Sequence, residues 1–187
     1  RAQRYAETVP LWNRCIEAQK NSMRPDHPEL ALSLDGFALS LRQLNQPNAA
    51  ITLHLKAQEI YHSELPPYHP ALGASYHGLS QALLRCGQTH PAVRSMRLAL
   101  QCAENNLPSD HPDIAITQFE LGRAECSIGE HQTGLQRMRA AHQTGQNILG
   151  HQHSMVQRMQ AWIDQLTEAS SSEASSDESD SESSSGS

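Results

Sequence analysis

The chain has 187 residues, enough for one domain with its own hydrophobic core. Its formal net charge of −6 at pH 7 comes from the segment 168–187, which contains six acids and no base, whereas the segment 1–167 contains 14 acids and 14 bases. A body without net charge argues against nucleic-acid binding, which requires clustered basic side chains. Membrane insertion is not expected, because no apolar run approaches the roughly 20 residues that a spanning helix needs.

The first predicted element is a helix within residues 4–26, which has the pattern of the second half of a helical hairpin. Because the chain begins in the middle of such a unit, and with Arg1 rather than Met, we expect it to be a piece of a longer polypeptide. The four cysteines show no Cys-x-x-Cys spacing and stand where small apolar residues suit a helix: Cys15, Cys86, Cys102 and Cys126. This usage indicates a reduced, cytoplasmic protein.

Three full units follow, each opened by the same histidine mark at an interval of 42 positions: His27-Pro28, His69-Pro70 and His111-Pro112, with His153 one period later. An uninterrupted period of this length is typical of repeat proteins. It predicts full repeats at 27–68, 69–110 and 111–152. A final helix at 153–167 is expected to cap the stack by presenting one face to water.

Each unit divides into two helices joined by a short turn. The proline after each histidine suits the first helical turn, where its missing N–H costs nothing. Breaks are predicted at 45–48, 86–89 and 128–130, and the second helices are predicted to end near residues 65, 107 and 149. The predicted fold is therefore all-α, a solenoid of stacked helical hairpins that winds into an α-α superhelix.

The register also predicts how the helices pack. Ten residues after each histidine stands a bulky apolar residue, Phe37, Leu79 or Leu121, and it is followed by a small one, Ala38, Ser80 or Gly122. Small residues recur further along each unit, at Ala50, Ala92 and Gly134 and again at Ala57, Ala99 and Ala141. A bulky residue beside a small one lets two helices approach closely, so these positions are the candidate core.

These units resemble the tetratricopeptide repeats of kinesin light chains and their relatives, which also have a 42-residue period with a His-Pro mark. The resemblance covers residues 4 to about 166, and residues 5–18 are similar to that family's second helix. It implies a superhelix whose concave face holds peptides through a column of asparagines, which is here Asp35, His77 and Phe119. A tyrosine that the family often has near the end of the first helix is replaced by Leu41, Leu83 and Glu125.

A second resemblance involves residues 121–154, which are similar to the C-terminal helical region of SET- and MYND-domain lysine methyltransferases. It implies a helical region of a larger enzyme that does not contain the active site. A third alternative is a structural solenoid that assembles through its outer surface. A protein-binding scaffold, such as an adaptor, is the leading hypothesis among the three.

The candidate binding residues follow from helical geometry. Once the bulky residues face the core, the positions five, eight, twelve, fifteen and sixteen residues after each histidine turn to the opposite, concave side. Arginines with amide and aromatic neighbours suit an acidic protein or peptide partner, because guanidinium groups form forked hydrogen bonds with carboxylates. The predicted partner-binding residues are Arg42, Gln43, His77, Gln81, Arg85, Phe119, Arg123 and Arg158.

Other chemistry is not predicted. His151-x-His153 is the closest approach to a pair of metal ligands, but zinc sites use three or four converging ligands, so we expect no metal. The repeated histidines are interpreted as structural marks of the junctions between loops and helices. The sequence has no nucleophile motif and no glycine-rich phosphate loop, so we expect neither enzymatic activity nor a cofactor.

The C-terminal segment 168–187 consists almost entirely of Ser, Glu and Asp. It has too little apolar surface to offset the entropy of ordering, which predicts a disordered acidic tail. Serines beside acids are candidate phosphorylation sites, since each phosphate would add about −1.5 to −2 charge. These serines are Ser176, Ser179 and Ser181.

Overall fold

A computed structural model describes the backbone of residues 2–179 and the side chains of residues 5–168. The described chain is all-α, with these helices in order: α1 (Ala2–Ser22), α2 (Pro28–Gln43), α3 (Pro47–Glu64), α4 (Pro70–Arg85), α5 (Thr89–Asn106), α6 (Pro112–Ser127), α7 (His131–Leu149) and α8 (Ser154–Ser179). We name α2, α4, α6 and α8 the A helices, and α1, α3, α5 and α7 the B helices. No helix within residues 2–179 is both long and apolar enough to cross a membrane.

Every A helix is capped by the histidine that precedes it. The Nδ1 atom of His27 accepts a hydrogen bond from the backbone N–H of Glu29 at 3.2 Å. His69, His111 and His153 accept the equivalent bond at 3.2 to 3.3 Å. Each imidazole thus satisfies an N–H group that has no partner inside the helix. The prediction that these histidines are structural is confirmed, and their role is that of a helix cap.

Each hairpin turns through one residue in the left-handed conformation. Asn45, Gly87 and Gly129 occupy the same position of successive repeats and have φ angles of 60°, 71° and 88°. Glycine adopts this conformation without steric cost, and asparagine tolerates it better than most side chains. The N–H of the following residue then bonds back to the end of the A helix, as Gln46 does to the carbonyl of Leu41 at 2.9 Å. The predicted breaks therefore coincide with the observed turns.

The predicted small residues are where A and B helices of one unit approach each other. Ala38 and Ala50 are completely buried in one core cluster. In the next unit the hydroxyl of Ser80 donates to the carbonyl of Ala92 at 2.9 Å. In the third unit a methyl group at Gly122 would lie 2.7 Å from the carbonyl oxygen of Gly134, so only glycine fits.

Of the predicted bulky core residues, Leu79 and Leu121 are buried, whereas Phe37 is half-buried and packs against two core clusters. Consecutive helices pack on one another along the whole chain, and α2 also contacts α4. This arrangement confirms the predicted solenoid. It places the A helices side by side along one surface, which we call the A-helix surface.

The last helix closes the stack with an amphipathic face. Its residues Met159 and Ile163 are buried in a core cluster of α6 and α7, whereas Gln160 and Asp164 are exposed. The helix α8 extends beyond residue 167 to Ser179, and the prediction of a disordered acidic tail at 168–187 stays a prediction. Alanine and glutamate in this segment favour continuation of a helix that packing has already nucleated. Residues 180–187 lie outside the described residues, as does the candidate phosphorylation site Ser181.

Candidate functional site

Four arginines from four consecutive A helices form a linked group on the A-helix surface. They are Arg42 of α2, Arg85 of α4, Arg123 of α6 and Arg158 of α8, and we call them the arginine cluster. The charge of Arg85 is close enough to act on Arg42, and that of Arg158 is close enough to act on Arg123. All four were predicted from their positions after the repeated histidine.

The carboxylate of Glu120 joins the two halves of the arginine cluster. It interacts electrostatically with Arg42 on one side and with Arg123 on the other. Its Oε2 atom lies 2.6 Å from Nε2 of His77 and accepts a bond from Nε2 of Gln81 at 2.9 Å. Thus Glu120 of α6 bonds to two side chains of α4. Both of these, His77 and Gln81, were predicted as site residues, whereas Glu120 was not.

The surroundings of Glu120 stabilise its ionised form. Burial alone would raise the pKa of this carboxyl, but the contacts with His77, the bond from Gln81 and the charge of Arg123 together lower the pKa below its ordinary value of 4.5. The side chain retains a quarter of its surface exposed to solvent. Glu120 is therefore a fixed negative charge at the centre of the arginine cluster.

Arg42 and Arg85 are close neighbours in the arginine cluster. The Nη1 atom of Arg85 donates to the backbone carbonyl of Arg42 at 2.7 Å. Burial and the positive charge of Arg85 lower the pKa of Arg42, and Glu120 partly offsets this effect. The Nε–H of Arg42 is buried without a hydrogen-bond partner among the described residues. Two adjacent guanidinium groups with incomplete pairing favour the approach of an anion.

At the other end of the arginine cluster, Arg123 stacks on an aromatic ring. Its guanidinium carbon lies 3.9 Å from the ring centre of Trp162 in α8, a cation–π geometry. The tryptophan is still 40% exposed. Beside the pair is a cavity of about 350 Å³ between α4, α6 and α8, lined in part by Gln81, Leu84, Glu120 and Leu166.

A second cavity, of about 520 Å³, lies between α4, α5 and α6 next to His77. Its floor consists of small residues such as Gly73, Ala99 and Ala103. The residue one period before Ala103 is Tyr61, which is 1% exposed and packed in the core of the preceding unit. The cavity therefore exists where an alanine replaces the bulky residue of the earlier repeat.

The other predicted site residues have different outcomes. Gln43 and Arg158 are exposed, as expected for a binding surface. The placement of Phe119 on the surface is wrong, because its side chain is 5% exposed and packs with Met159 and Ile163 in the core. Its position faces the next repeat, and α8 covers it. The side chains of Ser176 and Ser179 lie outside the described residues.

Sequence reasoning missed Glu120 and Trp162. Both stand nine residues after the histidine mark, where the first two units have Gly36 and Gly78. From the first two repeats, position nine after the histidine was therefore expected to have no side chain. The signal that could have identified them is the departure itself, a charged and an aromatic residue where the register has glycine.

A buried polar group in α2, α3 and α4 contains residue types that hydrolases use. The Oδ1 atom of Asp35 lies 2.7 Å from Nδ1 of His54 and accepts a bond from the hydroxyl of Ser75 at 2.9 Å. The carboxylate holds both groups, so the serine is not bonded to the histidine that would have to activate it. This arrangement links three helices and has no nucleophile geometry.

A second buried polar group is ionic. Glu125 of α6 is fully buried and bonded by Arg97 of α5 at 3.1 Å and by Arg137 of α7 at 2.8 Å. Its carboxylate is satisfied by one guanidinium from each neighbouring helix, which makes it a structural contact. Within the described residues there is no group of three or more His, Cys, Asp or Glu side chains that could hold a metal ion.

Comparison with known proteins agrees with this architecture. Sequence models of the tetratricopeptide repeat family match residues 1–63 and 72–113. Two similar crystal structures contain the nearly identical TPR-like repeats of a predicted kinesin light chain from Podosopora anserina. The first, a variant with one substitution, has a TM-score of 0.80 and 24% identity, with 95% of this chain and 86% of that chain covered.

The second structure has a TM-score of 0.69 and 22% identity, with 90% of this chain and 92% of that chain covered. A search of curated protein sequences found no match. The family models together cover more than half of the residues, and the solved structures have the same fold along almost the whole chain. The chain belongs to the tetratricopeptide repeat superfamily, and its fold is similar to that of the kinesin light chain-like repeats in these structures.

Proposed function

We propose that this protein is a scaffold that binds an acidic segment of a partner protein along the A-helix surface. Tetratricopeptide repeats form a scaffold fold that is generally non-catalytic and that typically mediates interactions between proteins. The observation that carries the more specific proposal is the arginine cluster, in which four cations lie on consecutive A helices and two of them, Arg42 and Arg123, interact with the carboxylate of Glu120. An extended acidic peptide can contact successive guanidinium groups as it crosses the helices.

The two cavities add places for the side chains of a bound peptide. One lies beside the exposed ring of Trp162, and the other lies beside His77, so both adjoin the charged residues. Tryptophan and arginine are the residue types that contribute most energy at binding surfaces. A peptide with acidic residues and at least one bulky apolar residue fits this combination of charge and space.

The test is a double charge reversal, Arg85→Glu with Arg123→Glu, in the full chain. We expect it to abolish binding of a fluorescein-labelled octaglutamate peptide, because two attractive contacts become repulsive at the centre of the surface. Fluorescence anisotropy at about 0.1 M salt measures the affinity, since exposed charges act over roughly 10 Å at this ionic strength. Circular dichroism reports whether helicity is retained.

The matched control is Arg94→Glu with Arg139→Glu, which makes the same change of charge at exposed positions of the B helices α5 and α7. This variant should bind the peptide nearly as well as the unmodified protein. Equal loss of binding in both variants would show that only overall charge matters. Unchanged binding in Arg85→Glu with Arg123→Glu would exclude the A-helix surface as the site.

A further inference from the structure

The carboxylate of Glu120 lies among the arginines with which the carboxylates of an acidic partner would interact. Glu120 interacts electrostatically with Arg42 and Arg123, and these are residues of two different A helices. The first two units have glycine at the same position of the repeat, Gly36 and Gly78, so the fold itself does not require a carboxylate there. The feature is specific to the third unit.

The geometry around Glu120 is that of a bound anion. One of its oxygens is shared by Nε2 of His77 at 2.6 Å and Nε2 of Gln81 at 2.9 Å, and both partners belong to α4. A carboxylate that reaches from α6 to polar groups on a neighbouring helix resembles the side chain of a bound acidic peptide more than a solvated surface group. It is only a quarter exposed, so its charge is weakly screened by solvent.

We propose that Glu120 is a built-in competitor that sets the selectivity of the A-helix surface for ligands with several clustered negative charges. An incoming carboxylate meets the repulsion of Glu120 as well as the attraction of the arginines. A single acidic residue gains too little from the arginine cluster to overcome this repulsion, whereas an acidic run contacts several guanidinium groups at once. This inference rests on the proposed function, since it assigns a role to a residue of the same surface.

The experiment compares the full chain with its Glu120→Gln variant, using labelled octaglutamate and a matched Gly/Ser peptide that contains one glutamate. Glutamine keeps the shape of the side chain and one oxygen that can accept the bond from Gln81, while it removes the charge. We expect octaglutamate to bind about tenfold more tightly, the size of effect that removal of a like charge has at a few ångströms in a partly buried site. The peptide with one glutamate should change from no measurable binding to weak binding.

The control for net charge is Glu104→Gln, an exposed position of α5, which should leave both affinities unchanged. Glu120→Ala provides a second variant without the carboxylate and should also tighten octaglutamate binding if Glu120→Gln does not fold. Equal or weaker binding by a folded variant overturns the role of Glu120 while the proposed function stands. Absence of octaglutamate binding by both the unmodified protein and the variants contradicts the proposed function and, with it, this inference.

Discussion

The two halves of the solenoid use the same repeat positions in opposite ways. In the N-terminal half, position nine after the histidine is glycine, and an aromatic ring from the preceding B helix lies over it: Trp12 over Gly36 and His54 over Gly78. In the C-terminal half, the same position holds Glu120 and Trp162, which reach the A-helix surface. The corresponding B-helix residues there are Met96 and Met138, both buried.

The same contrast recurs at two other positions. Tyr61 fills the core of the first full unit, whereas its counterpart Ala103 lines a cavity of about 520 Å³. Leu41 and Leu83 are buried apolar residues near the ends of their A helices, whereas Glu125 at the equivalent position is a buried ion. At these two positions the first half has buried aromatic or apolar side chains, whereas the second half has a cavity at one position and a buried charge at the other, with the backbone register kept.

The largest effect on stability is expected when the buried ring of Tyr61 in the N-terminal half is removed. Tyr61→Ala should reduce the free energy of unfolding by about 3–5 kcal/mol, because it removes a fully buried aromatic ring and leaves a cavity. Urea denaturation followed by circular dichroism measures the change. Ala103→Gly at the equivalent position of the next unit should cost about 1 kcal/mol, the usual effect of glycine within a helix. Similar losses for both would show that the two positions do not differ in packing.

A smaller effect on stability is expected when the contact between the ring of His54 and Gly78 is disturbed. The Cβ of Gly78→Ala would lie 2.5 Å from Cε1 of His54, so the buried imidazole must shift away from Asp35. We expect a loss of about 1–3 kcal/mol, as for other overpacked cores. In a His54→Ala background the same methyl group should cost clearly less, and the double-mutant cycle measures this coupling. Additive losses would mean that the ring does not restrict the position.

Replacing Glu125 by leucine, the residue that the first half has at this position, should have little effect on stability. Glu125→Leu is expected to leave the free energy of unfolding within about 1 kcal/mol or to raise it, because a buried ion pair is often no more stable than apolar residues of similar volume. Arg97 and Arg137 are partly exposed and can reach water once the carboxylate is gone. Arg137→Met, which leaves the buried carboxylate with one partner fewer, should be the more destabilising variant. The opposite order would contradict this account.

The smallest effect concerns the pH dependence of stability. The folded protein lowers the pKa of Glu120 below 4.5, so the unfolded chain binds the proton more tightly. The stabilisation is therefore present above the pKa of the unfolded state and is lost as the pH falls through the folded pKa. Thermal unfolding between pH 7 and pH 3 should show a slightly steeper acid-induced loss for the unmodified protein than for Glu120→Gln. Parallel pH profiles would show that the pKa is not lowered.

Most of the fold could be predicted because the residues that start and end the helices recur at the same positions of each repeat. The proline after each histidine and the left-handed residues Asn45, Gly87 and Gly129 set the helix boundaries, and these signals need no knowledge of tertiary contacts. The end of α8 at Ser179 could not be predicted from the sequence, because the composition of residues 168–187 favours disorder, whereas the packed first part of the helix favours its continuation.

The candidate site could be predicted only in part. The arginines could be found from helical periodicity, since position in a turn determines which face a residue takes. Phe119 was misplaced because periodicity within one helix does not show where the next repeat lies, and α8 buries this residue. Glu120 was missed because its partners His77 and Gln81 are 43 and 39 positions away in sequence, in another helix.

The histidine caps have a consequence for the solenoid as a whole. A capping serine or aspartate offers an oxygen that remains available over a wide range of conditions, whereas Nδ1 of an imidazole has a single lone pair. Any bond formed to that lone pair from outside the helix removes the acceptor from the start of a helix. The helices α2, α4, α6 and α8 all begin in this way. A reagent that forms such a bond with imidazole would therefore affect the starts of all four A helices at once.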